Sequence, residues 1–207
     1  MARLLTALDA DAEDDVLVVG AGVGYTSAAL AEIVGPRRVH AIDIDHRAVR
    51  LARSNLADAG YDAVLVDRRD GAGGFPEYAP YDRVLVEAAV VAPPRALCDQ
   101  LADRGRIVYP RGTAAQTIVA VEPSETAGDR ATADAGRSGA SADDQAPDGF
   151  GTVDEFGPAR LRPMLVDGEQ RGVERNRTRR EDAEFAQRDR FAGNGWEQEW
   201  IDWDDRL

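Results

Sequence analysis

A chain of 207 residues, 43% of them hydrophobic, can bury one ordinary core with irregular sequence to spare. Its net charge of −13 argues against unspecific nucleic-acid binding, which draws on basic side chains to neutralise phosphates. No stretch is apolar over the ~20 residues that a membrane-spanning helix needs, and with Cys98 as the single cysteine no internal disulfide can form.

From the N-terminus, Met1-Ala2-Arg3-Leu4-Leu5 lacks the apolar run and cleavage site of a signal peptide, so an intracellular, cytoplasmic location is the default expectation. Val16–Val19 predicts a first strand, stopped by Gly20. Residues 25 to 34 carry Ala28, Leu30 and Ile33 at helical spacing and end at Gly35-Pro36. Val39–Ile42 predicts a second strand and Arg47–Ala59 a helix stopped by Gly60. Ala63–Val66 and Arg83–Val86 predict the third and fourth strands. Pro94–Ala102 predicts a helix with Pro at its start. Gly105–Tyr109 and Gln116–Val121 complete the series. Short, wholly apolar strands alternating with helices indicate a mostly parallel sheet covered on both faces, the doubly wound, Rossmann-like α/β class.

The pattern breaks after residue 122. Residues 123–152 offer almost nothing to bury and read as a disordered acidic linker or loop. Residues 153–168 are expected to supply edge strands, with Arg160–Val166 returning to the sheet and Pro163 suiting an edge. Residues 169–207 read as a charged helix followed by a tail holding Trp196, Trp200 and Trp203. That tail either packs on the domain or contacts a partner. All 25 basic residues are Arg. A Lys-free acidic surface suits a salt-rich cytoplasm, although a GC-rich genome alone would also favour Arg, Ala, Gly and Asp.

The chemistry concentrates at strand ends. Gly20, Gly22 and Gly24 follow the first strand and open the first helix, where glycines let the backbone turn tightly and approach a ligand. The spacing is G-x-G-x-G, with Tyr25 where the dinucleotide fingerprint has its third glycine; a nicotinamide-dependent oxidoreductase is therefore a remote reading. Asp43 ends the second strand, 23 residues after Gly20, where a carboxylate can accept from both hydroxyls of an adenosine ribose. Asp70 follows the third strand and could accept from an adenine amino group. Each acid alone reads equally as a solvated surface group. Their convergence on the crevice at the strand ends points to a nucleoside-type ligand. Cys98 reads as a core or boundary residue. His40 reads as a strand residue and His46 as a helix start, too few for a metal site.

Residues 16 to 121 resemble protein-L-isoaspartate O-methyltransferases. The carriers are Val16 through Tyr25, Asp70-Gly71-Ala72-Gly73-Gly74, Ala79-Pro80-Tyr81-Asp82-Arg83-Val84-Leu85-Val86-Glu87-Ala88-Ala89, and Gly105-Arg106-Ile107-Val108-Tyr109-Pro110-Arg111-Gly112, with Gln116 beyond. The resemblance implies a class I methyltransferase fold over residues 1–122, S-adenosyl-L-methionine as cofactor, and isoaspartyl proteins or peptides as substrate for a monomeric enzyme. The candidate cofactor-binding residues are Gly20, Ala21, Gly22, Gly24, Tyr25, Asp43, Ile44, Asp70, Gly71 and Glu87. The sequence departs from the family at Val18, where an acid is usual, and at Glu87, where Thr is common. Glu87 reads as a cofactor-pocket residue, a substrate-side residue or a strand end. The family also carries a substantial segment ahead of the glycine loop, with a Ser/Thr-containing motif at the active site. Here only fifteen residues precede Val16, so no catalytic residue is assigned. A late start codon or a diverged relative, regulatory or acting on another acceptor, would each account for the short segment.

Overall fold

The computed structural model describes residues 1–112, 115–124 and 146–164. A seven-stranded sheet runs in the order β3-β2-β1-β4-β5-β6-β7. The strands are β1 (Val16–Val19), β2 (Val39–Asp43), β3 (Leu65–Arg68), β4 (Tyr81–Val86), β5 (Leu101–Arg111), β6 (Gln116–Pro123) and β7 (Phe150–Ala159). β1 to β5 are mutually parallel, while β6 runs antiparallel to both β5 and β7. The chain winds outward from β1 through β2 to β3, then returns to lay β4 on the other side of β1. The strand order therefore reverses between β1 and β4, the place where such sheets open a ligand crevice at their carboxyl ends.

Alternate residues of β1 serve two cores. Val16 and Val18 join Leu30 and Val34 of α2 (Tyr25–Val34), Val49, Ala52 and Leu56 of α3 (His46–Asp58), and Leu4, Ala7 and Leu8 of α1 (Ala2–Leu8). Leu17 and Val19 face the opposite layer with Phe75, Tyr81, Leu97 and Cys98, the last two from α4 (Arg95–Asp99). The period-two division is why the strand reads as continuously apolar.

α1 is an element that the apolar count of the first residues conceals. Leu4 and Leu8 are spaced one turn apart and are buried with Ala7. Its last turn is tied down by Arg106, whose Nη1 donates to the Ala7 carbonyl at 3.1 Å.

Several expected boundaries move: the fourth strand begins at Tyr81 rather than Arg83, and the fifth spans Leu101–Arg111 rather than Gly105–Tyr109. The third strand begins at Leu65 rather than Ala63, because the Tyr61 and Val64 amides donate to Leu56 and Tyr61 carbonyls and hold the chain in a turn. The helix expected over Pro94–Ala102 stops at Asp99. There Gln100 bonds through its side chain to the Phe75 amide and Gly73 carbonyl, and Leu101 pairs with Tyr81 to start β5. The linker expected to reach residue 152 ends before Phe150, where β7 starts. An edge strand lies at Phe150–Ala159, and residues 160–164 of the expected Arg160–Val166 strand do not form one: the Gln116 side chain accepts from the Leu161 amide at 2.7 Å and donates to its carbonyl at 2.9 Å. Pro163 makes only an isolated bridge to Ala89. The remainder of the expected linker, residues 125–145, lies outside the described residues, as do 165–168 and the charged helix and tryptophan tail of 169–207.

His40 lies in β2, is 8% exposed and is ringed by Phe75, Tyr78 and Tyr81, the nearest ring centre 4.5 Å away. Burial lowers its pKa below 6.5, opposed by the Asp15 charge. The folded chain thus takes up this proton less readily than the unfolded chain, and stability falls as pH drops below about 6.5 towards the folded value. Urea denaturation at pH 8 and pH 5 should show a smaller acid loss in His40→Gln than in the parent; equal losses would contradict this assignment.

Candidate functional site

The loop leaving β1 is shaped by its neighbours on both sides. The Gly20 and Ala21 amides both donate to the Ile42 carbonyl of β2, at 2.8 and 2.9 Å. Gly20, Gly22 and Gly24 adopt φ of 100°, 52° and 87°, a region that side-chain-bearing residues rarely enter. Gly24 ends the loop as the residue before α2, and a side chain there would begin 3.2 Å from the Ala52 carbonyl and from Leu56. Asn55 of α3 completes the brace by donating to the Val23 carbonyl at 2.9 Å.

Asp43 stands at the end of β2 and reaches into this loop. Its Oδ2 accepts from the Gly22 amide and its Oδ1 from the Asp45 amide, each at 2.9 Å. The carboxylate is thus a fixed part of the loop, and each oxygen keeps acceptor capacity for a ligand. The next residue, Ile44, is 55% exposed, and Tyr25 across the loop is 66% exposed. Ala21, by contrast, is buried.

After β3, Asp70 Oδ1 accepts from the Ala72 amide at 2.9 Å and caps the tight turn Gly71–Gly73. Gly71 presses on the end of β1: a Cβ there would lie 2.6 Å from Val19 Cγ1 and 3.2 Å from Met164 Cε. Gly71→Ala is therefore expected to lower the melting temperature and weaken any ligand bound at the strand ends, because Val19 belongs to the packed interior and cannot yield freely. Thermal melts should show a drop of several degrees, on the order of 1–3 kcal/mol; an unchanged melt would mean that the turn relaxes at no cost.

Glu87 follows β4, and its amide continues the ladder by donating to the Val19 carbonyl at 2.8 Å. Its Cβ sits 3.4 Å from where a Gly20 side chain would begin, so the residue packs beneath the glycine loop. Burial pushes the carboxyl above its usual range, opposed by the Thr26 hydroxyl and the terminal ammonium. Oε1 is buried with no hydrogen-bond partner among the described residues.

Gly20, Asp43, Gly71 and Glu87 thus all lie at the carboxyl ends of neighbouring strands. Thr26, Asn55 and Met164 are supporting residues that sequence patterns do not mark. Thr26 directly follows the Gly-Tyr pair, and Asn55 sits on the face of α3 toward the loop, a relation that only the packing of α3 reveals. Met164 comes from beyond β7, held by reciprocal backbone bonds between Ala89 and the 162–164 segment at 2.8 Å. Among the described residues no group of three or more His, Cys, Asp or Glu could hold a metal ion, and no helix is long and apolar enough to cross a membrane.

Known proteins resemble this chain in sequence and fold. A protein-L-isoaspartate O-methyltransferase of Aeropyrum pernix is 47% identical over 113 residues, covering 54% of this chain and 44% of that protein. A solved protein-L-isoaspartate O-methyltransferase superposes with a TM-score of 0.54 at 26% identity, over 60% of this chain and 40% of the other. A Plasmodium falciparum protein assigned to the same family, solved in complex with S-adenosyl-L-homocysteine, shares the fold at a TM-score of 0.56 and 16% identity, over 79% of this chain and 70% of that one. The matched stretch spans about half the length of the curated relatives. The model of the protein-L-isoaspartate(D-aspartate) O-methyltransferase family matches residues 1–133. Matched over residues 1–133, the chain belongs to the protein-L-isoaspartate(D-aspartate) O-methyltransferase family.

Proposed function

We propose that this chain binds S-adenosyl-L-methionine in the strand-end crevice and takes part in methyl transfer to the α-carboxylate of L-isoaspartyl residues in damaged proteins. The observation that carries the reading is the glycine loop locked onto Asp43 at the point where the strand order reverses. The residues fit the cofactor: three loop positions take positive φ, two acids stand at successive strand ends, and a buried carboxyl oxygen of Glu87 lacks a hydrogen-bond partner among the described residues.

When bound, the cofactor supplies an electrophilic methyl group on a sulfonium. Asp43 offers two pre-positioned acceptors for ribose hydroxyls, Asp70 an acceptor for the adenine amino group, and Ile44 an exposed apolar face for the ring. Gly20, Ala21, Gly22, Gly24 and Tyr25 would hold the methionine end, with Gly71 against the end of β1 and Glu87 beneath the loop. The attacking carboxylate of the substrate is already ionised at neutral pH, so no strong base is required. What the protein must supply is close, aligned approach of the two reactants.

The functional core assigned to this reading is residues 1–122. The Arg-only, acidic composition supports a monomer in a salt-rich cytoplasm. Circular dichroism should then report fuller folding in molar potassium chloride than in dilute buffer, whereas salt-independent folding would remove that part of the reading. The reaction itself is tested by transfer of labelled methyl to an L-isoaspartyl peptide, scored as base-labile ester. Label on that peptide and not on its aspartyl twin is expected. No ester from folded protein that binds the cofactor would favour a relative acting on another acceptor.

A further inference from the structure

The reading above places Glu87 beneath the glycine loop but gives its carboxyl group no role. Glu87 Cβ lies 3.4 Å from where a Gly20 side chain would begin, its backbone is fixed to Val19, and one carboxyl oxygen is buried with no hydrogen-bond partner among the described residues. A buried acceptor without a partner costs about 1–3 kcal/mol and persists when something else supplies the partner. The groups that face it are the Thr26 hydroxyl from α2 and the terminal ammonium ahead of α1.

Resting on the cofactor reading above, we propose that Glu87 is the counter-charge for the cationic methionine end of the cofactor. S-adenosyl-L-methionine carries a sulfonium and an α-ammonium at that end, and either would favour the carboxylate form. The proton leaves Glu87 Oε for solvent as the cation arrives; no covalent bond changes. Burial of the free carboxyl holds it protonated to a higher pH than an exposed Glu, so cofactor binding in mildly acidic solution must expel that proton. Affinity then falls as pH falls through the free-state value. S-adenosyl-L-homocysteine lacks the sulfonium but keeps the ammonium, so comparing the two tells which cation Glu87 meets.

The test is isothermal calorimetry of the full chain with each ligand, in two buffers of different ionisation enthalpy at pH 5 to 8. Release approaching about one proton per molecule of S-adenosyl-L-methionine bound is expected at the acidic end, fading towards pH 8. Release with both ligands assigns the ammonium; release with S-adenosyl-L-methionine alone assigns the sulfonium. Glu87→Gln should release none and bind roughly tenfold more weakly at pH 8, and Glu87→Thr, checked for folding by circular dichroism, should bind independently of pH. Binding by the parent without proton release, or the same pH dependence in Glu87→Gln, overturns the proposal while leaving the cofactor site intact. Absence of any binding overturns both.

Discussion

Asp43→Ala is expected to raise the dissociation constant for S-adenosyl-L-methionine by roughly 100-fold. Two losses combine. The first is a pair of hydrogen bonds from ribose hydroxyls to an ionised acceptor, each worth about 1.5–3 kcal/mol. The second is release of the Gly22 and Asp45 amides, which the carboxylate now holds at 2.9 Å, so that the loop loses its preformed shape. Asp43→Asn separates them. It keeps a carbonyl oxygen for one amide but loses the charge and one acceptor, and should fall between the parent and Ala. Calorimetric titration of the three proteins checks this ordering. Equal affinities would mean that Asp43 only braces the loop and that the ribose lies elsewhere.

Leu8→Ala is expected to cost about 2–5 kcal/mol of stability. The side chain is fully buried in the core shared by α1 with the central strands, and the neighbours that surround it come from the sheet, which is poorly able to collapse into the void. For a chain of this size, each kcal/mol lowers the melting temperature by roughly 2–4 °C, so a drop of about 10 °C is the expected reading. A loss within about 0.5 kcal/mol, the range of surface substitutions, would show that α1 is not seated on the core.

Central elements were legible because their signals are local. Val16–Val19 stands between polar residues and Gly20, and its ends coincide with the sequence reading. The same holds for residues 25–34, bounded by glycines. His46 and Asp43 likewise sit where the sequence places them, at a helix start and a strand end. What the sequence hid depends on distant partners. The shortened helix after Pro94 is decided by Gln100 bonding to Phe75 and Gly73, a contact across 25 residues. β7 carries exposed acidic residues and no apolar alternation, because one side of the strand is an edge. Only pairing with β6 makes it a strand. α1 could have been found from Leu4 and Leu8 at helical spacing, a signal easily passed over in a segment read only for targeting.

At the site, the glycines and acids announced themselves by type and position, but their mutual relation did not. Sequence spacing gave Asp43 a ligand role. Its grip on the Gly22 amide belongs to the parallel pairing of β1 with β2. For Glu87 the sequence leaves cofactor-pocket, substrate-side and strand-end readings open; its packing beneath Gly20 follows from the pairing of β1 with β4.

The most direct measurement of the central claim is calorimetric titration of S-adenosyl-L-methionine, beside a nicotinamide dinucleotide, into the folded chain in molar potassium chloride. Saturable binding of one S-adenosyl-L-methionine per chain, with none of the dinucleotide, is the predicted result. Binding of the dinucleotide instead, or of neither ligand by folded protein, would contradict it.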